Sequence, residues 1–128
     1  MTTESHARIL VVEDNAELLA VLQELLRRAG YEVIPARHGV EALVQLTAPA
    51  AAMPSLIILD VNMPLEGGLG VLDFLRRTLH SSIPVIVLTA SASLDQEKER
   101  HALGISAYLR KPTSSGVLLS EISKALAS

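Results

Sequence analysis

Short apolar runs alternate along the chain with longer stretches that have helical spacing. The apolar runs have the length of β-strands, and they are continuous instead of alternating with polar residues. They cover residues 9–12, 33–36, 56–59, 84–88 and 107–109. Between them, apolar residues recur every three or four positions, which is typical of helices that bury one face. The pattern therefore predicts a βα unit repeated five times.

Five helices follow from this spacing. The first contains Leu18, Leu22 and Leu26 and is expected to end at Gly30, since glycine commonly follows the last helical residue. The other four are predicted at residues 41–46, 69–79, 94–103 and 117–126. Continuous apolar strands separated by helices indicate a parallel sheet covered on both faces. The predicted fold class is α/β, with a doubly wound parallel sheet of five strands.

Composition narrows the class of protein. The 128 residues fit a single domain, 1–128, and 49% of them are hydrophobic although only 2% are aromatic, so the core is expected to consist of aliphatic residues. A net charge of -3 without a basic cluster argues against binding nucleic acid or anionic membranes. The absence of cysteine excludes disulfides and zinc-thiolate sites. No apolar run approaches the roughly 18 residues of a membrane-spanning helix, so we expect a cytoplasmic protein.

Polar side chains follow four of the predicted strands. Glu13 and Asp14 come directly after the first strand, Asp60 after the third, Thr89 after the fourth and Lys111 shortly after the fifth. Ligands of open parallel sheets bind at the edge formed by the carboxyl ends of the strands. These five side chains are therefore expected to converge at one edge.

The chemistry of these side chains suggests a metal and a phosphoryl group. Three crowded carboxylates repel one another unless a hard cation lies between them, and oxygen ligands suit Mg²⁺. Lys111 and Thr89 would then offer a cation and a hydroxyl to an incoming phosphoryl oxygen. Asp60 ends a buried strand, so a rigid element would present it as a nucleophile.

Each residue also has a purely structural interpretation. Asp14 to Glu17 reads as a capping box for the first helix, and Asp60 could simply end a strand. Thr89 and Lys111, taken singly, could be a turn residue and a solvated charge. The structural interpretations do not require all five polar groups to meet at one edge of the sheet. Their expected convergence therefore favours the functional interpretation. The four histidines share no spacing and are assigned no role.

The polar residues and their neighbours form a recognisable set. In chain order they are Glu13-Asp14, Asp60, Asn62-Met63-Pro64, Gly68, Thr89-Ala90, Tyr108 and Lys111-Pro112. With them, the sequence resembles the receiver domains of two-component response regulators, the CheY-like superfamily, over nearly its whole length. The resemblance implies a flavodoxin-like sheet with strand order 2-1-3-4-5.

The resemblance also implies a phosphorylation site with a bound Mg²⁺. Asp60 would accept the phosphoryl group. Asp14 would bind the metal directly, Glu13 would bind it through water, and Asn62 would bind it through its main-chain carbonyl.

A second group of residues would sense phosphorylation. The resemblance implies that Thr89 and Lys111 contact the phosphoryl group and that Tyr108 turns inward on activation. It further implies a cis peptide between Lys111 and Pro112.

The function implied is a signalling switch in a phosphorelay. A histidine kinase or histidine phosphotransfer protein would supply the phosphoryl group from a phosphohistidine, and slow autodephosphorylation would remove it without enzymatic turnover. The surface of helix four, strand five and helix five would then change for an unknown downstream protein partner, and the resemblance allows for a dimer that depends on phosphorylation. Because no DNA-binding helices follow the fifth helix, we expect no direct contact with nucleic acid; the chain could also be one piece of a larger kinase.

Three alternative functions fit the sequence less well, and several residues depart from the family pattern. A phosphatase of the haloacid dehalogenase type would need an acid where Asn62 stands, and a flavodoxin would need a phosphate loop where Glu13 and Asp14 stand. A receiver used only as an unphosphorylated docking module is disfavoured because the acidic residues are intact. The departures from the family pattern are Ser55, Gly67, Thr113 and Gly116. Gly116 is expected to weaken the start of the last helix.

Overall fold

The computed structural model describes residues 7–47, 49, 53–60, 67–89 and 104–127, with the backbone alone for 67–69. Five strands lie within these ranges: β1 (Arg8–Val12), β2 (Glu32–Ala36), β3 (Leu56–Leu59), β4 (Val85–Thr89) and β5 (Ala107–Arg110). All pair in parallel in the order β2-β1-β3-β4-β5. The predicted strands and parallel sheet are confirmed, as is the strand order that the resemblance implies.

The central strands are buried on both faces. Every residue of β3 and β4 is buried, whereas buried and exposed positions are interspersed along the edge strand β2. One set of alternate strand residues packs with Leu22 and Leu26 on one face, and the other set packs with Ala42 and Leu75 on the opposite face. The continuous apolar runs of the sequence are therefore explained by helices on both sides of the sheet.

Four helices cover the sheet within the described residues. They are α1 (Ala16–Arg28), α2 (Gly39–Leu46), α3 (Gly67–Asp73) and α4 (Ser115–Ala127). Helix α3 continues as wider π-helical turns over Phe74–Thr78. Helices α1 and α4 lie on one face, and α2 and α3 lie on the other. The helix predicted at 94–103 lies outside the described residues, and no described helix is long and apolar enough to cross a membrane.

The two ends of α1 are fixed by local hydrogen bonds. Asn15 is the N-cap, and its side-chain oxygen accepts from the Leu18 N–H at 3.0 Å. The capping box predicted from Asp14 is therefore wrong by one residue, because the adjacent Asn is an equally good cap. At the other end Gly30 has φ +97°, and the N–H groups of Gly30 and Tyr31 donate to carbonyls of the last turn. This is the glycine termination that the sequence predicts.

Backbone hydrogen bonds continue the sheet for one residue past the strand ends. The Glu13 N–H donates to the Ala36 carbonyl at 2.9 Å, and the Asp60 N–H donates to the Val12 carbonyl at 3.1 Å. The Lys111 N–H donates to the Thr89 carbonyl at 2.7 Å. The sheet thus holds the backbone of these residues rigidly at its carboxyl edge.

Candidate functional site

Three carboxylates meet at the carboxyl edge of the sheet. Glu13, Asp14 and Asp60 can each offer an oxygen, with these oxygens all within 4.8 Å of one another. Glu13 and Asp60 are buried, whereas Asp14 is exposed. The convergence predicted from strand ends is therefore present for all three acids.

The donor set of this cluster fits a hard divalent cation. Every donor is a carboxylate oxygen, and the cluster contains neither a thiolate nor an imidazole. Mg²⁺ prefers such ligands and keeps several of its waters, which the exposed side of Asp14 leaves room for. Asn62, the remaining predicted ligand, lies outside the described residues.

Lys111 bridges the two buried acids of the cluster. Its Nζ lies 2.8 Å from Glu13 Oε1 and 3.1 Å from Asp60 Oδ2. The lysine side chain is 21% exposed, whereas the side chains of Glu13 and Asp60 are almost fully buried. The second Glu13 oxygen accepts the N–H of Asn15 at 3.1 Å. Both oxygens of Glu13 are therefore engaged, and its carboxylate is held in one orientation.

Burial and the contacts with charged neighbours shift the pKa values of Glu13 and Lys111 in opposite directions. Burial raises the pKa of Glu13 above its ordinary value, although the hydrogen bonds from Lys111 and Asn15 partly offset this. Burial by itself lowers the pKa of Lys111, but its hydrogen bonds and charge attraction to Glu13 and Asp60 outweigh burial and raise the pKa overall. The ammonium therefore stays charged at neutral pH and acts as the counter-ion of the buried acids.

The remaining predicted residues lie on β4 and β5. Thr89 is the last residue of β4 and is fully buried, next to Lys111 in the sheet. Tyr108, in the middle of β5, is half-buried and packs against the core on the side of α2 and α3. The peptide between Lys111 and Pro112 is cis, as the resemblance implies.

Two contacts of the site were missed by the sequence analysis. The first is the link from Lys111 to Glu13, which joins residues 98 positions apart and has no local sequence signal. The second is Asn15, which caps α1 and holds Glu13 at the same time. The sequence does carry a signal for Asn15, since Asn directly before a stretch with helical apolar spacing is a good N-cap.

A largely apolar groove opens beside Lys111. It has a volume of 350 Å³ and lies between α1 and α4. Leu18, Leu22 and Leu25 of α1 form one wall, and Leu118 of α4 forms part of the other. Lys111 and the residues up to Ser115 close the end nearest the acids. Val21, also in the lining, is 60% exposed, so the groove presents apolar surface to solvent.

Sequence comparisons identify relatives for most of the chain. The family profile described as response regulator receiver domain matches residues 9–123. The transcriptional regulatory protein PrrA of Mycobacterium leprae is 40% identical over 111 residues, which are 87% of this chain and 46% of that protein. The probable transcriptional regulator ycf27 of Porphyra purpurea is 39% identical over 107 residues, or 84% of this chain and 42% of that protein. The chain thus spans about half the length of these curated relatives.

Solved structures share the fold over nearly the whole chain. The chemotaxis protein CheY4 of Vibrio cholerae is 30% identical with a TM-score of 0.84, covering 94% of this chain and 98% of that one. A CheY-like response regulator receiver domain protein from Methanospirillum hungatei is 28% identical with a TM-score of 0.87, covering 95% of this chain and 94% of that one.

Proposed function

The chain belongs to the response regulator receiver domains of two-component systems, and on that premise we propose that it is a phosphoryl-accepting switch in which Asp60 is the acceptor. The observation that carries this proposal is the placement of Asp60. Its carboxylate stands at the end of a buried strand, 3.1 Å from the Lys111 ammonium and within reach of two further acids. We take the whole chain, 1–128, as one such domain.

In the proposed reaction an oxygen of Asp60 attacks the phosphorus of a phosphohistidine. The new O–P bond forms as the P–N bond breaks, and the released imidazole takes a proton from solvent. Lys111 places a positive charge beside the attacking carboxylate, where it attracts the phosphoryl oxygens. Water later hydrolyses the aspartyl phosphate, so the chain acts as a switch without turnover of a separate substrate.

The proposed cofactor is Mg²⁺, held by Asp14 and Asp60 directly, by Glu13 through water and by the main-chain carbonyl of Asn62. When bound, it supplies positive charge that offsets the negative charge of the acids and the phosphoryl group. The proposal is supported by the three acids, whose ligand oxygens lie within 4.8 Å of one another.

The donor is proposed to be a histidine kinase or histidine phosphotransfer protein that docks on the groove between α1 and α4. Leu18, Leu25 and the exposed Val21 offer an apolar surface to a helix of the donor, and Lys111 closes the end of the groove. A phosphohistidine on such a helix would enter beside Asp60. The groove therefore combines docking and chemistry at one edge of the sheet.

The proposed output is a change of surface that a downstream protein reads. Thr89 ends β4 at the phosphorylation edge, and Tyr108 lies on the neighbouring strand β5. Their movement would alter β5, α4 and the segment predicted as helix 94–103. Three further properties of the chain stay predictions: a dimer that depends on phosphorylation, a cytoplasmic location, and no direct binding of nucleic acid.

Beryllofluoride tests the proposed switch without a donor protein, because it mimics an aspartyl phosphate when Mg²⁺ is present. Its addition should shift the amide resonances of Thr89, Tyr108 and Lys111 in the wild type. In Asp60→Asn the same addition should leave them unmoved. Equal shifts in both proteins would contradict Asp60 as the acceptor.

A further inference from the structure

Helix α2 presents an apolar ridge to solvent. Val40 and Val44 are 57% and 61% exposed, although Ala42 and Leu46 of the same helix are buried in the core. Residues four apart lie on one face of a helix, so the two valines form a single ridge, the α2 ridge. They are two of the four exposed large apolar residues in the part of the chain that the structure describes. Adjacent exposed apolar residues, unlike scattered ones, point to an interaction surface.

A groove of 560 Å³, the α2 groove, lies beside this ridge. Leu19 of α1 and Pro35 of β2 line it together with Val40 and Val44. None of the described residues that line it belongs to the acidic cluster or to the groove between α1 and α4. The α2 groove is therefore a separate surface, which the proposed phosphoryl transfer does not use.

The shape of the α2 groove favours a helix over a strand as its occupant. β2 is an outer strand of the sheet, and such a strand can pair with a strand of another chain. Pro35 lies within β2 and has no backbone N–H, which disfavours this pairing. A helical ridge is the alternative, and the α2 ridge stands next to the groove on the same molecule. A surface that carries both a ridge and a groove can be covered by a second copy of itself.

The charged groups of the α2 groove are also complementary to themselves. Arg37 and Glu41 both line it. Their own ion pair is long, at 3.4 Å, and the side chains are 69% and 36% exposed, so the pair contributes little within one chain. Around a two-fold axis, Arg37 of one copy can face Glu41 of the second, and symmetry then forms the reverse contact. A surface with one charge of each sign therefore matches a second copy of this chain.

We infer that the α2 groove binds a second copy of this chain, in a two-fold dimer in which the α2 ridge of each copy covers the groove of the other. This dimer needs no phosphoryl group, unlike the phosphorylation-dependent dimer that the family resemblance allows. Its interface shares no lining residue with the groove between α1 and α4. The association is weak, because a helix of only eight residues carries the ridge and small interfaces bind weakly.

The test is sedimentation of the full, unphosphorylated chain at a series of concentrations up to millimolar, with amide NMR spectra of the same samples. The wild type should sediment faster as its concentration rises, and the amides of Gln23, Val40 and Val44 should shift along the same binding curve. Val44→Asp should weaken the association by about ten-fold or more, because each interface would then bury two carboxylates. Val117→Asp is the matched control, since it changes an exposed valine on α4 and should associate as the wild type does.

A mixing experiment tests the arrangement of charges. Arg37→Glu leaves two acids in the α2 groove and Glu41→Arg leaves two bases, so each variant alone should associate less than the wild type. An equimolar mixture should associate more than either variant alone, because opposite charges then face each other. Thermal unfolding of both variants is measured first, since Glu41 also accepts the Arg37 N–H at 2.7 Å.

A spin label tests the same interface with the native charges and decides the matter if Glu41→Arg does not fold. The chain has no cysteine, so Gln45→Cys takes a single label within the α2 groove. Mixed with unlabelled ¹⁵N copies, it should broaden the amides of Gln23 and Val40 and leave that of Ser106, beside the opposite outer strand, unchanged.

Four results would each overturn the inference. They are a wild type that stays monomeric at millimolar concentration, an association that Val44→Asp leaves unchanged, a mixture of folded charge variants that associates no more than its components, and broadening that spares Gln23 and Val40. None of these results bears on Asp60 as the phosphoryl acceptor, so the inference and the proposed function fail separately.

Discussion

The Lys111 ammonium lies 2.8 Å from Glu13 Oε1, in contact with a carboxylate whose side chain is 2% exposed. The same ammonium lies 3.1 Å from Asp60 Oδ2. One cation thus partly offsets the charge of two buried acids that follow different strands. Removing one partner of such a group leaves uncompensated buried charge, which costs far more than the loss of a surface ion pair.

Lys111→Met is therefore expected to destabilise the metal-free protein by about 3 kcal/mol, since two buried carboxylates would face each other without a counter-ion. The measurement is urea unfolding at neutral pH in the presence of a chelator. Lys124→Met is the matched control, because that ammonium is exposed and its ion pair with Glu121 is long, at 3.8 Å. The loss of this surface pair should cost less than about 1 kcal/mol. Equal effects of the two substitutions would show that the bridge contributes little.

The raised pKa of Glu13 predicts a pH dependence of stability. Burial raises this pKa. As pH rises above the ordinary glutamate pKa of about 4.3, the folded protein therefore keeps a proton that the unfolded chain has lost. The stability that this proton contributes is complete below that pH and is lost as pH rises through the raised pKa. In Glu13→Gln the group does not titrate. The free energy of unfolding of wild type minus that of Glu13→Gln should therefore fall with rising pH and then level off. Urea unfolding at a series of pH values measures this difference, and a rise with pH would contradict the argument.

Substitutions at Asn15 and Asp14 test which of these adjacent residues caps α1. Asn15→Ala should destabilise the protein by about 1 kcal/mol, because the Leu18 N–H loses its acceptor. Asn15→Asp keeps a good cap and should be close to the wild type. Asp14→Ala, measured by thermal unfolding with a chelator, should not be destabilised, since Asp14 does not cap the helix. A loss on Asp14→Ala similar to that on Asn15→Ala would restore the capping role predicted from the sequence.

Gly116 offers a stabilising substitution. It lies in the first turn of α4, is exposed, and a Cβ added there would meet no atom within 4 Å. Gly116→Ala should therefore raise the free energy of unfolding by up to about 1 kcal/mol. Gly104 is the matched control, since its φ of +67° disfavours any side chain and Gly104→Ala should destabilise. Chemical unfolding of both variants tests the pair, and a loss of stability in Gly116→Ala would mean that the start of α4 needs glycine.

The sheet was predictable because its signal is local. Each central strand is buried on both faces, so a continuous apolar run such as 56–59 marks it directly, and the observed strand has the same bounds. The acids at the strand ends follow from that, because parallel strands bring their carboxyl ends to one edge. The strand order is a different case. Buried strands look alike in sequence, so the order came from the family resemblance and not from the pattern.

Other features were not predictable, because the pattern of apolar and polar residues is compatible with more than one local structure. Asp14 and Asn15 are equally good caps, and only the backbone conformation at Asn15 decides between them. The π-helical turns at Phe74–Thr78 keep the apolar spacing of an ordinary helix closely enough to be invisible in sequence. The bridge from Lys111 to Glu13 depends on side-chain orientation across the sheet edge, which no local pattern encodes.

The central claim is that Asp60 accepts a phosphoryl group, and phosphorylation of the purified chain tests it most directly. Incubation with Mg²⁺ and acetyl phosphate, or with a phosphorylated histidine kinase, should add one phosphoryl group that is stable in acid and labile in base. Mass analysis of peptides should place it on Asp60, and Asp60→Asn, which keeps the shape but not the nucleophile, should take up none. A phosphoryl group on another residue of the wild type, or equal labelling of Asp60→Asn, would contradict the account.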